Sequence, residues 1–204
     1  MRHAVPRIPL ILLGLLFPLM ATAQGSATPH QVRLGWGDML FETMAFHPGT
    51  SPDGLRSHDF GYTGHIFAEY RYQFTKVVGF GGKADFESIF WKETPCDWHW
   101  NPTGETVPVR NYNLCIIPTV QFTYFRKEWV ELYAAVGAGA LIAFDNARKV
   151  EAAPALDLTL LGIWMGKDHW GATLEIGGLN ALTNPHRIYM LGSKMASVSV
   201  TYRW

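Results

Sequence analysis

The chain has 204 residues with 17 basic and 17 acidic side chains, so its length fits one domain and its formal net charge is zero. That balance argues against nucleic acid as a partner, because binding to phosphates needs an excess of basic residues. Charged residues make up only 17% of the chain, which also carries 20 glycines and 8 tryptophans. This composition argues against disorder.

Residues 1–23 have the pattern of a secretory signal peptide. Basic residues precede the apolar segment 8–20, and the small residues Ala21 and Ala23 form a cleavage site. The apolar segment is shorter than the ~18–20 residues that a membrane-spanning helix needs. We therefore expect cleavage after Ala23, which leaves residues 24–204 as one mature domain.

The mature chain alternates between apolar and polar residues with a period of two, the pattern of strands with two different faces. In the last strand, the apolar parity holds Ala196, Val198, Val200, Tyr202 and Trp204. The pattern predicts eight strands, near residues 30–39, 65–72, 78–90, 111–122, 130–144, 156–164, 170–176 and 196–204.

The predicted connections divide into two kinds. The tight ones are 73–76, 124–128 and 166–168, and the two longest are 40–61 and 92–109. This arrangement favours an up-and-down antiparallel barrel with turns at one end and loops at the other. In the first strand, Asp38 falls on the apolar parity, which predicts a bulge at Gly35 or Gly37.

The polar parity carries charges of both signs, which can neutralise one another inside a narrow barrel. This predicted interior charge network comprises Arg33, Glu69, Arg71, Lys83, Asp85, Glu87, Glu131, Asp157, Glu175 and Arg203. Eight strands close around an interior that side chains fill. The alternative is a soluble sandwich or lipocalin, whose apolar face points inward.

Aromatic residues near the tight turns favour the arrangement with the apolar face in lipid, because indole and phenol rings prefer the membrane interface. These residues are Tyr72, Phe74, Tyr124, Phe125, Trp129, Trp164, Trp170 and Trp204. Lys194 breaks the apolar parity ten residues before the last residue. This places it near the membrane interface opposite the tight turns, where its long side chain could reach water. A sheet with a lipid face must also close, since hydrocarbon cannot satisfy the polar groups of a strand edge.

The C-terminal run Val198-Ser-Val200-Thr-Tyr202-Arg-Trp204 resembles the terminal targeting strand of Gram-negative outer-membrane barrels. The mature chain resembles the small eight-stranded members of that class. Two segments, 118–124 and 132–139, are similar to uncharacterised barrels of the Bacteroidetes. The resemblance implies insertion by the barrel assembly machinery, with Val198, Val200, Tyr202 and Trp204 as the assembly signal. It also implies outer-membrane lipids, including lipopolysaccharide, as partners.

With this architecture, we expect both termini in the periplasm and the long loops outside the cell. The oligomeric state is left open.

The sequence contains no GxSxG, HExxH, paired CxxC or P-loop motif. Cys96 and His99 share one aromatic-rich loop, but structural zinc sites take four well-spaced ligands. Ser57, His58 and Asp59 supply the residue types of a hydrolase triad, but as adjacent residues they are poorly placed for one. We therefore expect no catalytic residues, metal or cofactor.

The favoured function is a non-enzymatic outer-membrane barrel with a plugged interior and a structural, interaction or surface role. The alternatives are a lipid A-modifying enzyme of the deacylase or acyltransferase class and a narrow channel for small molecules. The chain lacks the F-x-H-x-S run of the deacylase family.

Cys96 and Cys115 lie in a chain predicted to enter an oxidising compartment. They could pair as a disulfide or remain two unrelated thiols, one in a loop and one on a strand. The separation of their Cα atoms decides between these readings, and sequence does not supply it.

Overall fold

The computed structural model describes residues 28–38, 54–99, 101–145, 150–181 and 194–204. The expected signal peptide, residues 1–23, lies outside them. The strands within the described ranges are β1 (His30–Asp38), β2 (Leu55–Tyr62), β3 (His65–Gln73), β4 (Val78–Pro95), β5 (Val107–Lys127), β6 (Val130–Asp145), β7 (Glu151–Lys167), β8 (Trp170–Ala181) and β9 (Lys194–Arg203). No helix in these ranges is long and apolar enough to cross a membrane.

All strand pairs are antiparallel, and the sheet closes on itself. Its order is β2-β4-β3-β1-β9-β8-β7-β6-β5, and pairing of β4 with β5 completes the ring. The terminal strands β1 and β9 are joined at their ends, where His30 and Trp204 exchange two backbone hydrogen bonds of 3.1 Å. Closure therefore leaves the main sheet without a free edge along the ring.

The two segments β2 and β3 form one of the eight barrel strands. Both pair with β4, β3 with its first half and β2 with its second half. They are separated at Thr63 and Gly64, and Gly64 has a φ of 73°, a conformation that glycine adopts without a steric penalty. The prediction of an all-β, eight-stranded, antiparallel up-and-down barrel is confirmed.

The long connections are shorter than the sequence indicated. Residues 55–61 were expected within the loop 40–61 but belong to β2, and β4 and β5 extend into the expected loop 92–109. The tight turns lie between β3 and β4, β5 and β6, and β7 and β8, all at one end of the barrel. We call this the turn end and the opposite end the loop end.

Side chains alternate between the lumen and the outer surface as the period of two predicts. Strand β3 alternates buried and exposed residues along its whole length. The buried positions carry the polar side chains, and the exposed ones are mainly apolar or aromatic. The arrangement is therefore inverted relative to a soluble sandwich, with polar residues inside and apolar residues outside.

Strand β7 departs from the predicted alternation at a β-bulge between Thr159 and Leu161. The extra residue reverses the parity beyond it, so that Trp164 pairs with Glu131 and faces the lumen, only 3% exposed. The prediction that Trp164 belongs to an outer aromatic girdle is wrong for this reason. The bulge predicted at Gly35 or Gly37 is also absent, because β1 keeps an unbroken register with β9 through Asp38.

Two apolar clusters lie inside the barrel beside the charged residues. One comprises Cys115, Ile117, Leu141, Ala155 and Leu179, from four adjacent strands. The other contains Ile89, Trp91 and Val109, with Tyr62 packed against them. Buried apolar packing therefore accompanies the buried charges.

Gly162 is required where the bulged strand passes the large buried side chain of Tyr133. A Cβ atom at Gly162 would overlap the Tyr133 ring, whereas a Cβ at Gly82, on the outer face, would meet nothing within 4 Å. We expect Gly162→Val to destabilise the barrel by about 1–3 kcal/mol through overpacking. Urea unfolding, followed by heat-modifiable gel mobility, measures the effect, with Gly82→Val as the matched control. Equal unfolding midpoints for the two variants would contradict this account.

Candidate functional site: the ion-pair network inside the barrel

All ten residues of the predicted charge network are buried, with at most 9% of their surface exposed. They come from β1, β3, β4, β6, β7, β8 and β9, and each stands on the inward parity of its strand. The alternation of each strand aims these side chains at the barrel axis. The narrow lumen then brings residues distant in sequence into contact.

The centre of the network is Arg33 on β1. Its guanidinium group lies 2.7 Å from Glu69 and 2.7 Å from Glu175, and it also donates to the hydroxyl of Tyr133. That hydroxyl donates in turn to Oε1 of Glu175 at 2.8 Å. Arg71 pairs with Glu69 from the next inward position of β3. Two carboxylates and two guanidinium groups thus neutralise one another around one phenol.

Arg33 also connects opposite walls of the barrel. In the order of the ring, β1 and β6 are separated by four strand steps in either direction. The bond from Arg33 to Tyr133 therefore spans the full width of the lumen. This contact places a side chain across the axis, where an open channel would need free space.

Lys83 forms a second pair across the lumen, from β4 to Asp157 on β7. Its Nζ atom also lies 3.9 Å from Oε2 of Glu175 and 5.3 Å from the centre of the Phe67 ring. Ser197 donates to the same Oε2 atom at 3.2 Å. Glu175 thereby joins the Lys83 pair to the Arg33 cluster in one continuous network.

Nearer the loop end the lumen is acidic. The Nδ1 atom of His65 lies 2.6 Å from Asp85, and its Nε2 atom lies 3.9 Å from Glu87. Asn113 donates to Glu87 at 3.3 Å. Two carboxyl groups here face one imidazole, so acidic groups outnumber basic ones in this layer.

Nearer the turn end the balance is reversed. Oε2 of Glu131 accepts from Arg126 and Arg203, both at 3.0 Å, and Arg203 stacks over the Trp164 ring at 3.8 Å. Two guanidinium groups thus share one carboxylate. The charges in the lumen are therefore graded along the axis, from acidic at the loop end to basic at the turn end.

The two cysteines are free and far apart, so a disulfide between them is not formed. Cys115 lies opposite Asp85 in the β4–β5 register, whereas Cys96 follows the end of β4. Eleven strand residues separate the two levels, about 36 Å at a rise of ~3.3 Å per residue. A disulfide requires Cα atoms within about 7 Å.

The described contacts do not connect Ser57, His58 and Asp59 in the hydrogen-bonded order of a hydrolase triad. His58 bonds to Thr94 at 2.9 Å and lies 3.5 Å from the carboxylate of Asp59, while the side chain of Ser57 lies outside the described set. Asp59 is paired with Lys92 at 3.0 Å, and this hydrogen bond lowers the pKa of its carboxyl. Of the triplet, Asp59 is therefore held in an exposed ion pair with Lys92.

The Cys96–His99 loop is organised by a different interaction. The carboxylate of Asp97 accepts hydrogen bonds from the backbone of His99 and from Asn101. The side-chain bond from Asn101 lowers the pKa of Asp97. Within the described ranges, no group of three or more His, Cys, Asp or Glu residues is placed to hold a metal ion.

Sequence reasoning missed some members of the network and the role of others. Tyr133 bonds to Arg33 on β1 and Glu175 on β8. His65 contacts Asp85 and Glu87 on β4. The pattern of one strand does not reveal partners on other strands.

Arg126 was assigned to a turn, yet it lies on β5 and reaches Glu131. Arg126 falls on the apolar parity of β5 and comes opposite Glu131 only because the register shifts between Thr123 and Phe125. The sequence pattern therefore gave no signal for it.

No family model and no curated protein matches this chain. Among solved structures, the chain is similar to the outer membrane protein Ail of Yersinia pestis. One Ail structure, in a phospholipid bilayer nanodisc, is 11% identical, with a TM-score of 0.38, and the match covers 87% of this chain and 99% of Ail. The crystal structure of Ail, the attachment invasion locus protein, is 13% identical, with a TM-score of 0.39, covering 88% and 100%.

Similarity at this level does not extend a function from one chain to the other. The resemblance to Bacteroidetes barrels stays a prediction.

Removing the charge of Glu175 should destabilise the barrel strongly, because Arg33 and Lys83 both rely on this carboxylate. Breaking a buried ion pair from one side costs about 3–5 kcal/mol, and we expect Glu175→Gln to approach that range. Asp59→Asn removes a carboxylate from an exposed pair and is the control, with little expected change. The measurement is the urea midpoint of each folded barrel in detergent. A shift for Glu175→Gln no larger than that of the control would show that the network does not stabilise the fold.

Proposed function

We propose that this chain is an integral outer-membrane β-barrel with a plugged interior and a structural or surface-interaction role. The observation that carries the proposal is the inverted distribution of side chains. Apolar residues line the outside of a closed barrel whose lumen is charged. No cofactor or catalytic step is needed to account for the described residues.

The outer surface is apolar around the barrel. The exposed aliphatic side chains include Leu34, Ile66, Ile116, Val136, Leu156, Leu158, Leu160, Leu174, Ile176, Val198 and Val200. A continuous surface of this kind is far larger than the apolar patches that monomeric water-soluble proteins expose. Hydrocarbon is the environment that such a surface fits, and the closed ring satisfies the backbone there.

Aromatic residues at the turn end support the same orientation in a membrane. The rings of Tyr202 and Trp204 stack with centroids 5.7 Å apart, and Trp170 lies 4.8 Å from Tyr202. Tyr72, Phe74, Tyr124, Phe125 and Trp129 are also exposed there. Amphipathic rings at this level fit the boundary between hydrocarbon and water.

The lumen supports a plugged barrel and not a channel. Arg33 and Lys83 reach partners on distant walls of the lumen. At eight strands the interior is about one layer of side chains across. The network therefore occupies the path that a solute would take.

The loop end offers a structured surface for interaction. Strands β4 and β5 have 18 and 21 residues, well beyond the ~9–11 that span a bilayer. Their outer parts, with β2, form a three-stranded projection beyond the barrel. Trp98, near its tip, is 84% exposed. This projection is the part of the described chain best placed to meet a partner.

The proposal includes an orientation and a route of assembly. The start of β1 and the end of β9 lie at the turn end, which we assign to the periplasm, and the projection faces the outside of the cell. The outward side chains of Val198, Val200, Tyr202 and Trp204 form the signal for the barrel assembly machinery. Outer-membrane lipids, including lipopolysaccharide, surround the apolar belt.

Fractionation and conductance test the two parts of this proposal. We expect the mature chain in the outer-membrane fraction, released only by detergent. Planar bilayers containing the purified protein should show no steady conductance of porin size. Recovery of the chain as a soluble periplasmic protein would overturn the membrane assignment, and steady porin-like conductance would overturn the plug.

Replacing Trp204 tests the role of the terminal strand. Trp204→Asp should sharply reduce the folded barrel in membranes, whereas Trp98→Asp makes the same change at the loop end and should leave assembly intact. An acidic residue near the interface costs less than the ~2–4 kcal/mol of a basic residue at mid-membrane. A severe defect would therefore indicate lost recognition and not lost stability.

Heat-modifiable gel mobility of the membrane fraction measures both variants. Wild-type levels of folded Trp204→Asp protein would contradict an assembly role for the terminal residue.

A further inference from the structure

The turn end of the lumen contains a small pocket lined by basic and amide side chains. Arg71, Arg126 and Arg203 line it together with Gln31 and Gln73. These residues come from the ends of β1, β3, β5 and β9, which the closed ring brings to one mouth. The proposed outer-membrane role does not assign any function to this pocket.

The pocket carries more positive charge than its carboxylate can balance. Arg126 and Arg203 both bind Oε2 of Glu131. The other oxygen of Glu131 already accepts from Gln121 at 2.9 Å and Thr123 at 3.1 Å. Within the described residues, neither arginine pairs with a second carboxylate. One unit of positive charge therefore remains at this mouth.

The pocket also has buried donors that lack acceptors. Among the described residues, no hydrogen-bond partner is found for Nε and Nη1 of Arg71, Nε of Arg203, or Nε2 of Gln31. These residues are only 1%, 9% and 6% exposed. The remaining Arg71 nitrogen, Nη2, binds Glu69, which Arg33 also contacts. Leaving such donors without an acceptor costs about 1–3 kcal/mol per group or more.

We propose that this pocket binds a phosphate-type oxyanion at the turn end of the barrel. Guanidinium groups are suited to phosphate oxygens, because they present several N–H donors in a fixed plane. A singly charged phosphate group would balance the remaining positive charge and supply acceptors to the unpaired donors. Neither a cation nor an apolar ligand would do both.

The dimensions of the pocket define how such a group enters. The space among the donors is about 10 Å³, enough for one water-sized atom. One phosphate oxygen therefore inserts between the side chains while the rest of the group stays at the mouth. Either free phosphate or the phosphodiester of a lipid headgroup can present an oxygen in this way.

Titration of the folded mature chain tests the proposal. The protein is held in octyl glucoside, which contains no phosphate. It is added at low ionic strength to a fixed concentration of inorganic phosphate while the ³¹P line width is followed. We expect saturable broadening for the wild type. Absence of saturable broadening would overturn the proposal. The result does not depend on membrane location, so it is independent of the proposed function.

Two variants of adjacent residues separate a built site from general attraction to positive charge. Arg126→Gln removes a pocket residue and should weaken phosphate binding about tenfold, equivalent to ~1.4 kcal/mol. Lys127→Gln removes the same charge from an exposed neighbour and should leave the affinity nearly unchanged. Equal weakening by both variants would overturn the proposal. If Arg126→Gln fails to fold, Gln31→Leu replaces it, with the same direction expected.

Parallel titrations with glycerophosphoglycerol identify the source of the phosphate group. This compound carries the phosphodiester of a lipid headgroup without acyl chains. Tighter binding than inorganic phosphate supports a lipid headgroup, and weaker binding supports a free phosphate. In both cases the effect of Arg126→Gln must exceed that of Lys127→Gln, or the pocket is not the binding site.

Discussion

The fold depends on mutual neutralisation of charges that are buried inside a narrow barrel. The barrel presents its apolar side chains outward, so polar residues occupy most of the interior. A buried charge is tolerated only when an opposite charge and hydrogen bonds compensate for lost hydration. Arg33 satisfies this requirement by contacting Glu69, Glu175 and Tyr133 at once. The alternation of the strands points the charges inward, and closure of the ring brings them to their partners. Ion pairing therefore depends on both, and the buried charges depend on ion pairing.

Much of the fold could be predicted from the sequence, because a period of two is a local property of each strand. The inward parity identified Arg33 and Glu175 correctly, since the alternation around each is undisturbed. Trp164 was placed on the wrong face because a bulge arises from pairing with neighbours, and one extra residue reverses every position beyond it. The pairing of the charges was also inaccessible, since the register that places Arg33 opposite Glu69 belongs to two strands.

The cysteines also show that sequence does not reveal how strands pair, here for two residues that are close along the chain. Cys96 and Cys115 are near in sequence, and spacing alone allows a bridge. The β4–β5 hairpin instead runs far beyond the level of Cys115, so the two residues lie at different heights. A long hairpin separates residues that are close along the chain. Closure of the ring, in contrast, joins residues that are distant along the chain, such as Lys83 and Asp157.

The contact between Arg33 and Tyr133 has a mechanical consequence. Since it joins opposed walls, it acts as a cross-brace that fixes the distance between β1 and β6. The two mouths lie on either side of this brace and contain separate clusters, one acidic and one basic. Because each mouth has its own ion pairs, a rearrangement of the surface projection at the loop end leaves the Glu131 contacts of the turn end in place.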